Sequence, residues 1–343
     1  MAGKYLVITD KLELELKKMR SEGRSRLPSE KELSERFSCS RQTVRASLDI
    51  LQQKGLIEKR KGSGSYLADG FIKNKTIYFM TEDCDRYRSS FIITGLREKL
   101  VPSGYELKPF SSGGSINGEK EVLSQVIAVR PSVLIIEPSR DLVPNPNIRI
   151  TGEIRSLGIP VIYCNSSLGD IHITADSAAG AKKLTDLMTG SGRKKAACIF
   201  RYDDSSGHDF YSGYIDAVLD SGSVFEEEGS LPLSYEEEKD IISGRDKRLD
   251  VFAEKIISGF DAVICHNRVI ALRLIQILDK KGISVPEDIA VACFDNMNGF
   301  PGTDGMISLE YDNDICCKAL ASAAVALAEG RSAKSVTVPV KSI

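Results

Sequence analysis

The chain has 343 residues with an ordinary apolar share of 42%, enough for about two or three domains with sizeable cores. No apolar run approaches the ~20 residues of a membrane span, and the start at Met1 has no apolar signal core. The eight cysteines hold no CxxC pair, which argues against a disulfide frame or a zinc site and for a reduced, cytoplasmic chain. Net charge is only −2, yet residues 1–73 carry 16 Lys and Arg against 10 Asp and Glu, a balance of +6 that leaves −8 for the rest. A basic amino-terminal module on an acidic body points to a partner of its own for that module. A solvated basic face is the plainer alternative.

Taken in order, Tyr5–Arg20 places Leu6, Leu12, Leu16 and Met19 near helical spacing. Ser29-x-x-Glu32 is a capping box that opens a second helix, with Leu33 and Phe37 turned inward. Ser40 caps a third helix, Arg41–Lys54, whose Val44, Leu48 and Leu51 form a buried stripe, and Gly55 stops it. With that stripe inside, Arg41 and Arg45 share another face, beside Gln42 and Thr43 in the first turn. A helix start of this kind suits base edges and phosphates. Leu56-Ile57-Glu58 and Ser65-Tyr66-Leu67 read as strands joined by the basic turn Lys59–Gly64. Gly62-Ser63-Gly64 is no phosphate cradle, because the required strand before it and helix after it are missing.

This stretch resembles the GntR family of winged-helix bacterial regulators. The resemblance rests on Leu27-Pro28-Ser29-Glu30-Lys31-Glu32-Leu33, Ser40-Arg41-Gln42-Thr43-Val44-Arg45 and Lys61-Gly62-Ser63-Gly64, in order and at matching spacing over about 65 residues. It implies DNA contacts from Lys31, Ser40, Arg41, Thr43 and Arg45 and from wing residues Lys61, Gly62, Ser63 and Gly64; Gln42 joins them by its place in the first turn. A winged helix used for protein contact is the competing reading.

After a short linker, Asp69–Asn74, apolar runs alternate with helical patterns. Strands are expected at Thr76–Met80, Val133–Ile136, Val161–Cys164, Ala196–Phe200, Ala262–Cys265 and Ile289–Phe294. Helices are expected at Phe91–Leu100, Glu119–Val129, Ala178–Met188 and Ile270–Lys281. That alternation predicts an α/β, doubly wound parallel-sheet body. Its length predicts two lobes. The expected division is 1–70 for the DNA-binding domain and 71–343 for the body, with lobes at 75–165 plus 296–320 and 166–295 plus 321–343.

Ligands in such sheets bind beyond the carboxyl ends of the strands. There stand Glu82-Asp83, Glu137, Asn165, Arg201 with Asp203-Asp204, His266-Asn267-Arg268 and Asp295-Asn296, with Tyr87, Phe91, Phe210 and Tyr211 just downstream. Carboxylates, amides and arginines beside aromatic faces suit a small polyhydroxylated molecule, although loop starts are polar in any protein.

The body resembles the LacI/GalR regulators, whose sensor has the type I periplasmic-binding-protein fold. Thr174-Ala175-Asp176-x-x-x-Gly180, Cys265-His266-Asn267, Val285-Pro286-Glu287-Asp288-Ile289 and Ala292-Cys293-Phe294-Asp295-Asn296 carry the resemblance across nearly all of Lys75–Ile343. It implies effector contacts at Glu137, Asn267 and Asp295, with Tyr87 and Arg201. Asp204, Phe210, His266 and Arg268 complete the candidate set. Two positions depart from the family pattern: Arg268 stands where an acidic residue is common, and Phe210 stands where an arginine often precedes the glycine, here Gly213.

Catalysis is not expected. His172, His208 and His266 sit in no metal motif, and neither a nucleophile elbow nor a P-loop is present. The expected protein is a dimeric repressor that needs no cofactor. It would read a near-palindromic operator and be released by a small sugar, arabinose-like or a related carbohydrate. A purine or acidic effector, or a solute-binding transport role, are the alternatives.

Overall fold

A computed structural model describes residues 4–21, 24–68, 75–222, 225–294 and 305–341. The amino-terminal unit is built from α1 (Lys4–Ser21), α2 (Glu30–Arg36) and α3 (Arg41–Gln53), followed by β1 (Ile57–Arg60) and β2 (Gly64–Leu67). Ser29 and Glu32 cap α2 reciprocally: Glu32 N–H donates to Ser29 Oγ at 3.3 Å and Ser29 N–H to Glu32 Oε2 at 2.7 Å. The β1–β2 ribbon is antiparallel, in register from Ile57 opposite Leu67 to Arg60 opposite Gly64. Leu12, Leu16, Leu33, Val44, Leu48, Leu51 and Leu67 close one small core. Leu6 is not part of it; the chain turns Ile8 inward and leaves Leu6 exposed, since buried Leu12 and Leu16 put Ile8, not Leu6, on their face of the helix.

The body begins with β3 (Thr76–Thr81), α4 (Tyr87–Leu100), β4 (Glu106–Ser111), α5 (Ile116–Val129), β5 (Val133–Ile136), α6 (Ile148–Ser156), β6 (Val161–Cys164) and β7 (His172–Ala175). It continues through α7 (Ser177–Gly190), β8 (Ala196–Arg201), α8 (Ser205–Asp220), β9 (Ser230–Leu233), α9 (Tyr235–Ile242), α10 (Arg248–Gly259), β10 (Ala262–Cys265), α11 (Arg268–Lys280), β11 (Ala290–Phe294) and β12 (Ile307–Leu309). It ends in α12 (Asn313–Ala328) and β13 (Val336–Val338). Two sheets result among the described residues: β13-β7-β6-β5-β3-β4 and β12-β11-β10-β8-β9. Every pairing within them is parallel. Helices cover both faces of each, which is why the central strands β5, β6, β10 and β11 are buried at every position.

The lobes divide elsewhere than the sequence reading has it. β7 and β13 join the first sheet, β12 joins the second, and α12 packs into the first core through Cys316, Cys317 and Leu320. The first lobe is therefore about 75–175 plus 313–338, and the second about 177–309. Strand pairing decides this, because β13 completes the first sheet only by returning to β7. The chain crosses between lobes at Asp176, at Glu310–Asp312 and at Pro339–Val340, and the crossings bond to one another. Asp176 N–H donates to Val338 O at 3.0 Å, Lys341 N–H to Glu310 O at 2.8 Å, and Tyr311 bridges Val340. Three short linked crossings make a hinge.

At the joint between the amino-terminal unit and the body, the buried Glu13 carboxylate takes Lys54 Nζ at 2.7 Å and Arg130 of the first lobe at 3.4 Å. The two lobes also press together at Gly114, where an added Cβ would lie 1.9 Å from the ring of Tyr235. That ring is held between Arg86 and Arg201, at 5.3 and 5.2 Å, so it has little room to yield. Gly114→Ala is expected to prop the lobes apart. Small-angle scattering with saturating effector checks this: a variant that compacts as the parent does would show that Gly114 is not a closure contact.

Candidate nucleic-acid face and interlobe cavity

The start of α3 is presented to solvent. Ser40 Oγ accepts from Thr43 N–H at 3.2 Å and lies 2.9 Å from Thr43 Oγ1, so these two residues shape the helix start from which Arg41, Gln42 and Arg45 project, all exposed. Arg45 Nε bonds Glu30 Oε2 at 2.8 Å, with 63% and 33% of the two side chains exposed. A pair that open contributes about 0–1 kcal/mol and exchanges readily for a phosphate or a guanine edge. Lys31 stands 4.0 Å from Glu35 on the same surface. In the wing, Lys59 Nζ reaches Asp49 of α3 at 2.5 Å and the Arg60 guanidinium covers the Tyr66 ring at 4.5 Å. The turn beyond is exposed from Lys61 to Gly64. Gly62 and Gly64 have φ of 77° and 112°, left-handed backbone that glycine adopts at little cost. Ser63 Oγ lies 2.6 Å from Tyr66 Oη.

Between the lobes lies a cavity of about 180 Å³, small against the roughly 300–1,000 Å³ of drug-sized sites. Glu137, Arg201, Asp204, Phe210, His266, Asn267 and Arg268 all line it. Tyr87 opens α4, but its side chain lies outside the described residues, as does Asp295 altogether. Sequence reasoning left Arg86, Arg88, Asp141 and Glu238 off its set; these also face the cavity. α4 starts at Tyr87, four residues before the expected start at Phe91, which puts Arg86 at its N-cap and Arg88 in its first turn, and Glu238 is on a helix that no apolar run announced. A larger groove of about 650 Å³ under Arg140–Ile148 touches this cavity only through Pro138 and Asp141, and the first lobe alone walls it.

The cavity is latched by charge. The Arg201 guanidinium, 6% exposed, meets Glu82 of the other lobe at 3.3 Å, Asp203 at 3.1 Å and Asp204 at 3.0 Å. Arg86 of the first lobe bonds Glu238 of the second at 2.9 Å and Glu82 at 3.4 Å. Ser205 N–H donates to Asp141 across the cleft at 2.7 Å, joined by its own hydroxyl. Asp204 and Asn267 also cap α8 and α11, taking the N–H of Gly207 at 2.6 Å and of Ile270 at 3.0 Å. His266 Nε2 stands 3.2 Å from Glu238 and 2.7 Å from Asn267 Nδ2; it donates to the first or accepts from the second, never both. Phe210 is buried near Phe294, centroids 6.2 Å apart, and supplies an apolar wall where the family pattern has a cation. Arg268 is buried at the cavity edge rather than turned to solvent.

Two carboxylates of the cavity, Glu82 just past β3 and Glu238 on α9, are pushed in opposite directions. Burial lifts Glu82 to about 7 against the pull of Arg201, with repulsion from Glu137 adding to the rise. Burial also works against the charge on Glu238, yet His266, Arg86 and Arg201 hold it at about 2. A carboxyl raised in the folded state stabilises the fold below its ordinary value near 4.5, and that contribution fades as pH climbs towards 7. Glu82→Gln should therefore flatten the pH dependence of Tm between about pH 4.5 and 7. Thermal melts across that window decide it: an unchanged slope would mean Glu82 is an ordinary ion-paired carboxylate.

Among the described residues, no helix is long and apolar enough to cross a membrane and no His, Cys, Asp or Glu cluster could hold a metal ion. Residues 4–67 match the family of bacterial regulatory proteins, gntR family, and residues 185–338 match the periplasmic binding protein-like domain. The chain is 29% identical over 290 residues to the arabinose metabolism transcriptional repressor of Geobacillus stearothermophilus, covering 81% of this chain and 78% of that one. The protein of the same name from Halalkalibacterium halodurans is 26% identical over 282 residues, covering 79% and 74%. Among solved structures, the transcriptional regulator CelR–cellobiose complex superposes with a TM-score of 0.68 at 15% identity, covering 88% of this chain and 89% of that one. That last likeness is one of fold.

Proposed function

We infer, from a gntR-type reader joined to a periplasmic-binding-protein-like body, that this chain is a ligand-responsive transcriptional repressor. We propose that its effector is a small sugar held between the lobes. The observation that carries this is the cavity itself: it lies at the carboxyl ends of both parallel sheets, and groups from both lobes wall it. Its carboxylates, amide and guanidinium groups offer fixed donors and acceptors to hydroxyls, and Phe210 offers a face to carbon. Relatives named for arabinose metabolism support a carbohydrate.

In this reading two copies pair, so that two α3 helices meet the half-sites of a near-palindromic operator. The effector favours the latched arrangement of the lobes, and the joint at Glu13 passes the change to the reader. A ~100-fold preference for the non-binding state corresponds to about 2.7 kcal/mol, within the usual range of such coupling. The protein is a switch and not a catalyst, and it acts in the cytoplasm, where its free cysteines stay reduced.

Fluorescence anisotropy on DNA from upstream of its own gene, titrated with pentoses, hexoses, sugar acids and purines, tests the proposal. One carbohydrate should weaken DNA binding by roughly 5- to 150-fold. Release by a purine alone, or by nothing in the panel, would remove the sugar from the scheme.

A further inference from the structure

The arginines of the cavity are not alike. Arg201 and Arg86 are each tied to two or more carboxylates. Arg88 has no ion-pair partner among the described residues, although it faces the same cavity. One contact to an acceptor holds it: Nη2 donates to Asn165 Oδ1 at 2.6 Å. Its guanidinium plane covers the Tyr311 ring at 4.3 Å, and its Nε is buried with no acceptor. A guanidinium has five N–H donors, so most of this one's capacity is unspent.

The carboxylate whose charge acts on it is Glu137, and the fold keeps the two from pairing directly. Asn165 stands between them, taking Arg88 on Oδ1 and giving Nδ2 to Glu137 Oε1 at 2.7 Å. Thr81 occupies the other oxygen of Glu137. Asn165 does this from a left-handed backbone, φ 54°, a conformation that asparagine adopts more readily than most residues other than glycine. The amide spacer therefore leaves a guanidinium edge and a carboxylate side by side. Each is oriented, and each has bonding capacity left over.

A neutral sugar would satisfy Glu137 through its hydroxyls but would offer only neutral oxygens to the spare donors of Arg88, which bonds no carboxylate directly among the described residues, a poorer match for a buried cation than an anion. We propose that the effector carries a carboxylate or a phosphate besides its hydroxyls, and that Arg88 grips the anion while Glu137 accepts from a neighbouring hydroxyl. The flat fork of an arginine matches either anion with two parallel hydrogen bonds. Because Arg88 lies on Tyr311, a residue of the hinge, the anion is bound at the place where the lobes turn. This inference rests on the sugar reading above and narrows it to an acidic carbohydrate.

Calorimetric titration of the full chain compares a hexuronate, an aldonate and a pentose phosphate with their neutral parent aldoses. The acid of one pair should bind roughly 10- to 150-fold more tightly than its neutral parent, and the carboxylate and phosphate arms tell which anion is used. Arg88→Gln should bring that ratio to about one, and Arg88→Lys should leave an intermediate ratio. A neutral aldose that binds as well as its acid, or a preference that survives Arg88→Gln, overturns the assignment while keeping the sugar reading. Failure of both classes to bind removes the sugar reading as well. Should Arg88→Gln not fold, the parent ratio and Arg88→Lys still decide.

Discussion

Replacing Arg41 and Arg45 together with alanine should abolish specific operator binding while leaving the effector cavity untouched. Each residue projects from the exposed start of α3 and can pair bidentately with a guanine, a contact worth about 1–3 kcal/mol, so each single change should weaken binding by roughly 5- to 150-fold. Neither side chain contributes to the reader's core, which is closed by Val44, Leu48 and Leu51 on the opposite face of the helix. The double variant should thus melt like the parent and bind effector like the parent. Glu30→Ala serves as the internal control, because it frees Arg45 from its surface partner and should not reduce affinity. Anisotropy on matched and scrambled operator fragments reads all three proteins. Retained sequence preference in the double variant would mean that another surface reads the DNA.

Removing Arg201 should produce the largest loss of stability. Its guanidinium is the shared counter-ion of Glu82, Asp203 and Asp204, and Asp203 additionally takes the N–H of Tyr235 at 3.0 Å. Arg201→Met would strand three acidic groups in a space with little water. Breaking a buried ion pair from one side costs about 3–5 kcal/mol, a fall in Tm on the order of 10 °C for a domain of this size. The loss should be smaller at pH 5 than at pH 8, since Glu82 already sits near 7 and loses its charge further once its cation is gone. Calorimetric melts at the two pH values check both parts. A shift of a degree or two at either pH would show that Arg201 serves the ligand and not the latch.

The reader was legible almost residue by residue. Its signals are local: a capping box spans four residues, an apolar stripe recurs every three or four, and a turn needs glycine where φ is positive. In the body the strands were legible where burial is complete or nearly so. β5, β6, β10 and β11 are covered on both faces and so appear as continuous apolar runs. β4, β9, β12 and β13 lie at sheet edges, are partly wet, and carry prolines at Pro109 and Pro232 that an edge tolerates. β12 and β13 are only three residues long, too short for a pattern to stand out from a loop. The lobe boundaries went wrong for the same reason, since they depend on where β7, β12 and β13 pair.

From its residues alone, this chain declared a winged DNA reader, a parallel-sheet body and a rim of polar strand exits, because periodicity, caps and apolar runs are set by near neighbours. Which polar exits face one another was a matter for the folded lobes. Glu82 and Arg201 are 119 residues apart, and Arg86 and Glu238 are 152 apart. Only the hinge brings them within bonding distance, and only the amide of Asn165 decides that Arg88 and Glu137 stay separate. Long-range packing chose those partners, and local sequence holds no record of it.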